Sequence, residues 1–570
     1  MMTDYSETTE TTDKLSARVL ADLLAAHGVE RAILSPGSRN APLLVALERQ
    51  GDIKCDVVID ERSAAFTALG MSVQSGRSVA LCCTSGTALL NYAPAVAEAF
   101  YRHVPLVVVS ADRPEEWIDQ DDSQTIWQQD ALGPYVKRRC DISARLDFGN
   151  GHWWVNRVIN DALLEATSGV PGPVHINIRL DAPLGRTEKR TAEPERVIGR
   201  VVAEGGLPTA EARALAELAA SPRRVMIVAG FMEPDSKLNR ALGRLAEMPN
   251  IVVLTETIAN LHNPAFVGRI DSTLCCIGSD EREAMAPDLV ITTGGALVSR
   301  HLKEWLRSLP AEAEHWHVGH THTTVDCLQH LSLRIEMSPA LFFGQLAWTV
   351  RPHKAPSDYA RLWQEAAARA RRHHDEAVER APWCDLKAID AIIGMMPGGW
   401  NLQLSNGTPI RYAQLTDCSR VHRCECNRGV SGIDGCTSTA IGASAVYGGT
   451  TMLLSGDMSF QYDIGALGSP LLSGRMKMVV MANGGGAIFR FIGSTRDLPE
   501  LEKDFAVGTR LPLADLCRGY GIDYYEASDM DGLMRAWPRF VAESRRPALL
   551  AVHTSGPLSA RVLTEYLKGR

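Results

Sequence analysis

The chain has 570 residues, of which 45% are hydrophobic and 22% charged, with a formal net charge of −8. A single hydrophobic core stops growing at roughly 250–300 residues, so two or three domains are expected. The acidic balance excludes a global pull toward nucleic acid or anionic lipid, and no apolar run approaches the roughly 20 residues of a spanning helix, so neither nucleic acid nor membrane is an expected partner.

The opening MMTDYSETTETTDK is polar and acidic. It lacks the basic-then-apolar order of a signal peptide and reads as the frayed tail of a cytoplasmic protein. Short β-rich runs then alternate with helical stretches: VALCCTSG from Val79, VPLVVVSAD from Val104 and VHINIRL from Val174. The stretch DAPLGRTEKRTAEPERV from Asp181 is charged and Pro-bearing, as a linker would be. RVMIVAG from Arg224, IVVLTET from Ile251 and LVITTGG from Leu289 form a second group. A polar, strongly charged helix from Arg351, with little core-facing pattern, is expected to bridge to a third group. That group contains LQLSNG from Leu402, TMLLSGD from Thr451, MKMVVMANGG from Met476 and ALLAVHT from Ala548. Near-continuous apolar strands with helical crossovers mean parallel sheets covered on both faces. The expected class is α/β, with three parallel-sheet αβ domains at 1–185, 186–355 and 380–570 and a helical linker at 356–379. The 13 cysteines show no framework spacing and read as buried reduced thiols. His422, Cys424 and Cys426 crowd together, but no second ligand pair follows at finger spacing, so zinc is not expected.

Ligands of open parallel sheets sit beyond the carboxyl ends of the strands, and SPGSRN, TSGTA, SADRP, LSNGTP, SGDMS and ANGGG all fall there. Two of these breaks pair a small residue with one short oxygen-bearing side chain: Gly456-Asp457 and Asn483-Gly484-Gly485-Gly486, with 483 − 457 = 26 between the side chains. Mg²⁺ wants hard oxygens in octahedral geometry and often brings a phosphate. Asp457 offers a charged oxygen and Asn483 a neutral one. The glycines free the backbone to turn a carbonyl toward the same ion, and Gly456 permits close approach of a phosphate. Two ordinary turns remain the plainer alternative.

A Gly-Asp followed some 25–30 residues later by Asn resembles the signature of thiamine-diphosphate enzymes. Met458 and Ala482 depart from it, where many members have Gly and a second Asn, yet both proposed ligand side chains are kept. The resemblance implies a thiamine-diphosphate-enzyme architecture with a pyrimidine-binding first domain and a diphosphate-binding third. It also implies Mg²⁺ or Mn²⁺ on Asp457, Asn483 and the Gly485 carbonyl, and a cofactor cradle of Asn406, Gly456, Asp457, Met458, Ser459 and Asn483. Ile433 would prop the bent cofactor, and Glu61, in DERSAAFTALG, would meet the aminopyrimidine ring as the catalytic carboxylate. A homodimer or homotetramer follows, because first and third domains meet across subunits. Read on its own, Glu61 is simply an acid in the first turn of a helix capped by Asp60.

LSPGSRNAPL, DERSAAFTALG, CTSGTALLNYAPAVAEAFY, VPLVVVSADRP, NRGVSGIDG and SGDMSFQYDIGAL are similar to the 2-succinyl-5-enolpyruvyl-6-hydroxy-3-cyclohexene-1-carboxylate (SEPHCHC) synthase family of menaquinone biosynthesis. That resemblance implies 2-oxoglutarate and isochorismate as substrates. Both are dicarboxylates, which guanidinium groups meet in a two-pronged fork. Arg39, Arg113, Arg411 and Arg428 stand in the matching loops, with Arg300 from the middle block and Ser38 and Gln124 as polar partners. Gly407 stands where the family often has Ser, and Ser123 where relatives have Asn. The adjacent His pair of simple decarboxylases is not apparent, and His103 reads as a capping or core residue. Other readings are a different thiamine enzyme such as acetolactate synthase, a nucleotide-dependent oxidoreductase, or a catalytically dead binding protein. The oxidoreductase lacks its GxGxxG loop here.

Overall fold

The computed structural model describes residues 10–190, 193–220, 223–350, 357–508 and 511–569. The first part carries β1 (Glu10–Thr12), β2 (Arg31–Leu34), β3 (Lys54–Val57), β4 (Val79–Cys83), β5 (Leu106–Asp112), β6 (Arg138–Ile142), β7 (Val174–Arg179) and β8 (Thr187–Lys189). Six of these form one parallel sheet in the order β3-β2-β4-β5-β7-β6. Every residue of β4, β5 and β7 is buried, which is why the sequence shows them as unbroken apolar runs. Part of the expected tail is ordered. Glu10–Thr12 pairs antiparallel with Thr187–Lys189, tying the chain's entry to the stretch read as a linker, while residues 1–9 lie outside the described residues.

The second part carries β9 (Val225–Ala229), β10 (Ile251–Thr255), β11 (Leu289–Thr293), β12 (Glu314–Val318) and β13 (Leu331–Ile335), in the order β10-β9-β11-β12-β13. The third carries β14 (Asn401–Leu404), β15 (Arg423–Cys426), β16 (Thr451–Gly456), β17 (Met476–Ala482), β18 (Asp523–Ala527) and β19 (Ala548–His553), in the order β15-β14-β16-β17-β19-β18. All three sheets are parallel. The first and third are wound identically: second strand, first, third, fourth, sixth, fifth. In each, the direction in which successive strands are added reverses between the first and third strands, and an open sheet takes its ligand at that switch point.

The helix Tyr359–Arg380 corrects the expectation of a bridge without a core face. It buries Tyr359, Trp363, Ala366, Ala367, Ala370 and His374 along one side. Alanines carry that stripe, which is why hydropathy alone hid it. Residues 351–356, where the expected bridge begins, lie outside the described residues.

The first and third domains meet through the helices Glu61–Ser75 and Cys436–Val446. A Cβ on Gly70 would stand 2.0 Å from the Thr439 carbonyl oxygen, and one on Gly442 2.0 Å from that of Thr67. The two backbones therefore touch, and only glycine fits at either crossing. Gly70→Ala is expected to cost roughly 1–3 kcal/mol through overpacking and to lower the melting temperature in calorimetry. Among the described residues no helix is long and apolar enough to cross a membrane.

Candidate active site

β16 and β17 are neighbours, with Gly456 paired to Met481, so Asp457 and Asn483 leave adjacent strands at the same sheet edge. Asp457 opens the helix Asp457–Tyr462. Its Oδ2 accepts from the N–H of Gly484 (3.1 Å) and Gly485 (2.9 Å), and its Oδ1 from Met458 (2.8 Å). The turn needs φ of +88° and +91° at those glycines, and a Cβ on Gly485 would sit 1.9 Å from the Val507 carbonyl oxygen. Asn483 donates Nδ2 to Asp385 Oδ2 at 2.8 Å, which leaves Oδ1 as the atom to offer a cation. Among the described residues the Gly485 carbonyl accepts only a long bond from Arg490 Nη1 (3.4 Å), whose guanidinium is anchored on Glu502. One carboxylate, one amide oxygen and one carbonyl suit a hard divalent ion, so these residues fit Mg²⁺ or Mn²⁺.

Around this pole, Ser459 Oγ donates to the Ile433 carbonyl (2.6 Å), and Met458 Sδ accepts from Gly486 N–H (2.9 Å). The departure from Gly to Met at 458 thus supplies an anchor for the glycine turn. Beside Gly456 a Cβ would meet only Pro409, at 4.0 Å, so the space there is open to a phosphate. Ile433 is half-buried and outside the apolar core clusters. Asn406 shapes the pocket wall: its Nδ2 donates to the carbonyls of Asn427 and Gly432, both at 2.6 Å. Gly407 has φ +94° and ψ −131°, a conformation in which a serine would be strained. The nearby Ser405 hydroxyl is bonded to Gly456 N–H at 3.2 Å.

Arg428 donates Nη1 to Asn406 Oδ1 (3.0 Å). Arg411, at the end of the helix Thr408–Ala413, lies within its field and those of Asp271 and Arg300. Burial lowers the Arg411 pKa, the positive charges of Arg428 and Arg300 lower it further, and Asp271 opposes. Arg300 opens a helix that buries Leu302 and Leu306, and its own exposed side chain pairs with Glu304 at 2.5 Å. These three arginines therefore gather where the second and third domains meet.

Glu61 begins its helix in the first turn, with Asp60 as cap accepting from Ser63 N–H at 3.1 Å. It is half-buried and close enough to β4 that its charge adds to the burial which raises Cys83 and Tyr92. Ser38, Arg39, Arg113 and Gln124 surround the same strand ends. Arg39 donates to the Leu180 carbonyl (2.9 Å), Arg113 pairs with Asp122, and both line a cavity of about 390 Å³. Burial lowers Arg39, and Arg113 adds to that. Ser123 and Gln124 adopt left-handed φ of 52° and 54°, which presses Gln124 onto Gly86. In one chain, then, the site residues form two groups on two differently placed sheets. Ile59, two residues from Glu61, is 79% exposed.

Sequence reasoning missed two acids that build these groups. Asp385 accepts from Asn483 and Thr554, and burial raises its pKa. Glu98, wholly buried, accepts from Gly429 and Val430 N–H, both at 2.7 Å, and so holds the NRGVSG loop from the first domain. Only an acid at a helix end or start marks either in the sequence. His422 stacks on Tyr447 at 4.9 Å, while the buried Cys426 thiol donates to Asn406. His103 adopts a left-handed φ of 60° just past a helix end and packs edge-on against His322 of the second domain.

Two identically wound outer sheets, a hard-oxygen pole on the third domain and a half-buried carboxylate on the first define a thiamine-diphosphate enzyme. In agreement, the model described as thiamine pyrophosphate enzyme, N-terminal TPP binding domain, matches residues 16–132. A protein of Porphyromonas gingivalis named 2-succinyl-5-enolpyruvyl-6-hydroxy-3-cyclohexene-1-carboxylate synthase is 40% identical over 574 residues, covering 99% of this chain and 98% of that protein. Proteins of the same name from Flavobacterium johnsoniae and Bacteroides fragilis are each 34% identical, over 553 and 558 residues, with 97% of this chain and 98% of each relative covered. The chain belongs to the SEPHCHC synthase family.

Proposed function

We propose that the protein converts 2-oxoglutarate and isochorismate to SEPHCHC and CO₂, a step of menaquinone biosynthesis, with thiamine diphosphate and Mg²⁺ or Mn²⁺. The single observation that carries this reading is the junction of Asp457 with the Gly484–Gly485 turn, beside an Asn483 amide oriented by Asp385. When bound, thiamine diphosphate supplies the electron sink for carboxylate loss and carbon–carbon bond formation. Asp457, Asn483 and the Gly485 carbonyl would hold the ion, and Gly456, Met458 and Ser459 the adjoining diphosphate. Ile433 would support the cofactor's bend, while Asn406 keeps that loop in place. Glu61 would hold a proton at the aminopyrimidine ring nitrogen. Arg411, Arg428 and Arg300 fork one substrate's carboxylates, and Ser38, Arg39, Arg113 and Gln124 meet the other's.

The two groups work together when Glu61 of one protomer faces the ion pole of its partner, in a homodimer or a homotetramer. Exposed Ile59, Val430 and Tyr462 around them support such an interface. Domain limits of 1–185, 186–355 and 380–570, with 356–379 as linker, suit the three sheets. All 13 cysteines are free, in keeping with a cytoplasmic setting. In the middle sheet the switch-point crevice is filled: a Cβ on Gly295 would meet the Phe231 ring at 2.1 Å, and Gly295 N–H bonds the Phe231 carbonyl at 2.9 Å. That speaks against a nucleotide or flavin seated there.

A product assay with each of 2-oxoglutarate, isochorismate and thiamine diphosphate omitted in turn tests the reaction. Chelation with EDTA is expected to strip thiamine diphosphate together with the metal, read by cofactor content after gel filtration. A protein that keeps its cofactor in EDTA would refute the bridging ion.

A further inference from the structure

Glu256 is used by none of the groups above. It follows β10 directly and is 3% exposed. Its carboxylate accepts Val298 N–H at 2.7 Å (Oε1) and 2.8 Å (Oε2), and Ser299 N–H at 2.8 Å (Oε1). Those two amides immediately precede the helix Arg300–Arg307, whose first N–H groups have no partner within the helix. Ser299 caps that helix by accepting from Leu302 N–H at 3.0 Å, and its hydroxyl donates to Asp271. Two acids on separate elements thus grip the residues that launch Arg300.

Among the described residues Glu256 makes no ion pair. A buried carboxylate so placed is costly unless its acceptor sites are filled. Burial pushes it up to about 7; the Ser299 and Val298 N–H bonds oppose this, nearby Asp271 adds to it, and Arg428 opposes. His262, Arg269, Arg371 and Asp417 line the same cavity, of about 410 Å³, as Glu256, and Lys303, on the helix Arg300–Arg307, lies within its field.

We propose that Glu256 is a positioning residue for the arginine cluster: by clamping Val298 and Ser299 it fixes where Arg300 leaves the second domain, across from Arg411 and Arg428. It thereby sets the affinity for one substrate's carboxylate, which rests on the dicarboxylate reading of that cluster. The middle domain on this account is part of the binding site.

The test combines Glu256→Ala, Glu256→Gln, Arg300→Ala and the double variant Glu256→Ala/Arg300→Ala in the full-length enzyme. Glu256→Ala is expected to raise KM for one dicarboxylate about tenfold, the size of one charge-assisted contact, with little change in kcat. In the Arg300→Ala background it should add no further rise. Glu256→Gln keeps an oxygen acceptor but cannot titrate. As pH falls through about 7 the wild-type carboxyl takes up a proton and its grip weakens, so wild-type KM should rise while that of Glu256→Gln stays flat. Hydrogen–deuterium exchange of the peptide containing Val298 and Ser299 should accelerate in Glu256→Ala and stay unchanged in Arg300→Ala. Multiplicative effects of the two substitutions on KM, or a parallel pH response of wild type and Glu256→Gln, overturn the proposal. An enzyme that turns over neither substrate refutes the reaction instead, and the exchange measurement still decides the clamp.

Discussion

Glu61→Gln is expected to bind thiamine diphosphate and Mg²⁺ as tightly as the wild type and to lose turnover by roughly 10²–10⁴-fold, the usual contribution of one positioned acid–base group. The substitution keeps the side chain's size and leaves Asp60 in place as the helix cap on Ser63. The helix therefore stays folded, and what disappears is a group able to hold a proton at the aminopyrimidine. Calorimetric titration of cofactor, set beside the product assay, separates the two effects. Normal turnover in this variant would remove the proposed role of Glu61, and lost cofactor affinity would make it a binding residue only.

The second large effect concerns the arginines. Arg411→Ala should raise KM for one dicarboxylate by roughly 10- to 100-fold, since hydrogen bonds to charged groups contribute about 1.5–3 kcal/mol. Cofactor affinity should stay unchanged. Arg428→Ala should behave differently, because Arg428 also holds Asn406, and Asn406 ties Asn427 to Gly432. That variant is expected to weaken substrate use and thiamine diphosphate binding together. Steady-state kinetics with each substrate varied, plus fluorescence titration of the cofactor, checks the split. Rapid acetolactate formation from pyruvate by the wild type would overturn the substrate assignment.

The α/β class was legible because strands such as Val79–Cys83 and Leu106–Asp112 are buried on both faces and show as continuous apolar runs. The junction of Asp457 with the glycine turn was legible because Asp457 and the Asn483–Gly486 turn are each marked by glycines that the backbone requires. Other features were hidden for physical reasons. The short strand Glu10–Thr12 is polar, and its partner lies at Thr187–Lys189, so no local pattern betrays the pair. Asp385 meets Asn483 across 98 positions, and Glu98 meets Gly429 across 331. Such acids belong to no motif, because their importance arises only when distant segments fold together. The shared winding of the outer sheets left no repeat in the sequence, since many apolar sequences satisfy one strand order.

Because those two outer sheets are built to one plan, the chain holds two look-alike crevices that have divided a single task. On the proposed reading, one contributes the proton-handling acid and the other grips the ion. Neither is a spare copy of its twin, so disabling either one should abolish catalysis rather than halve it.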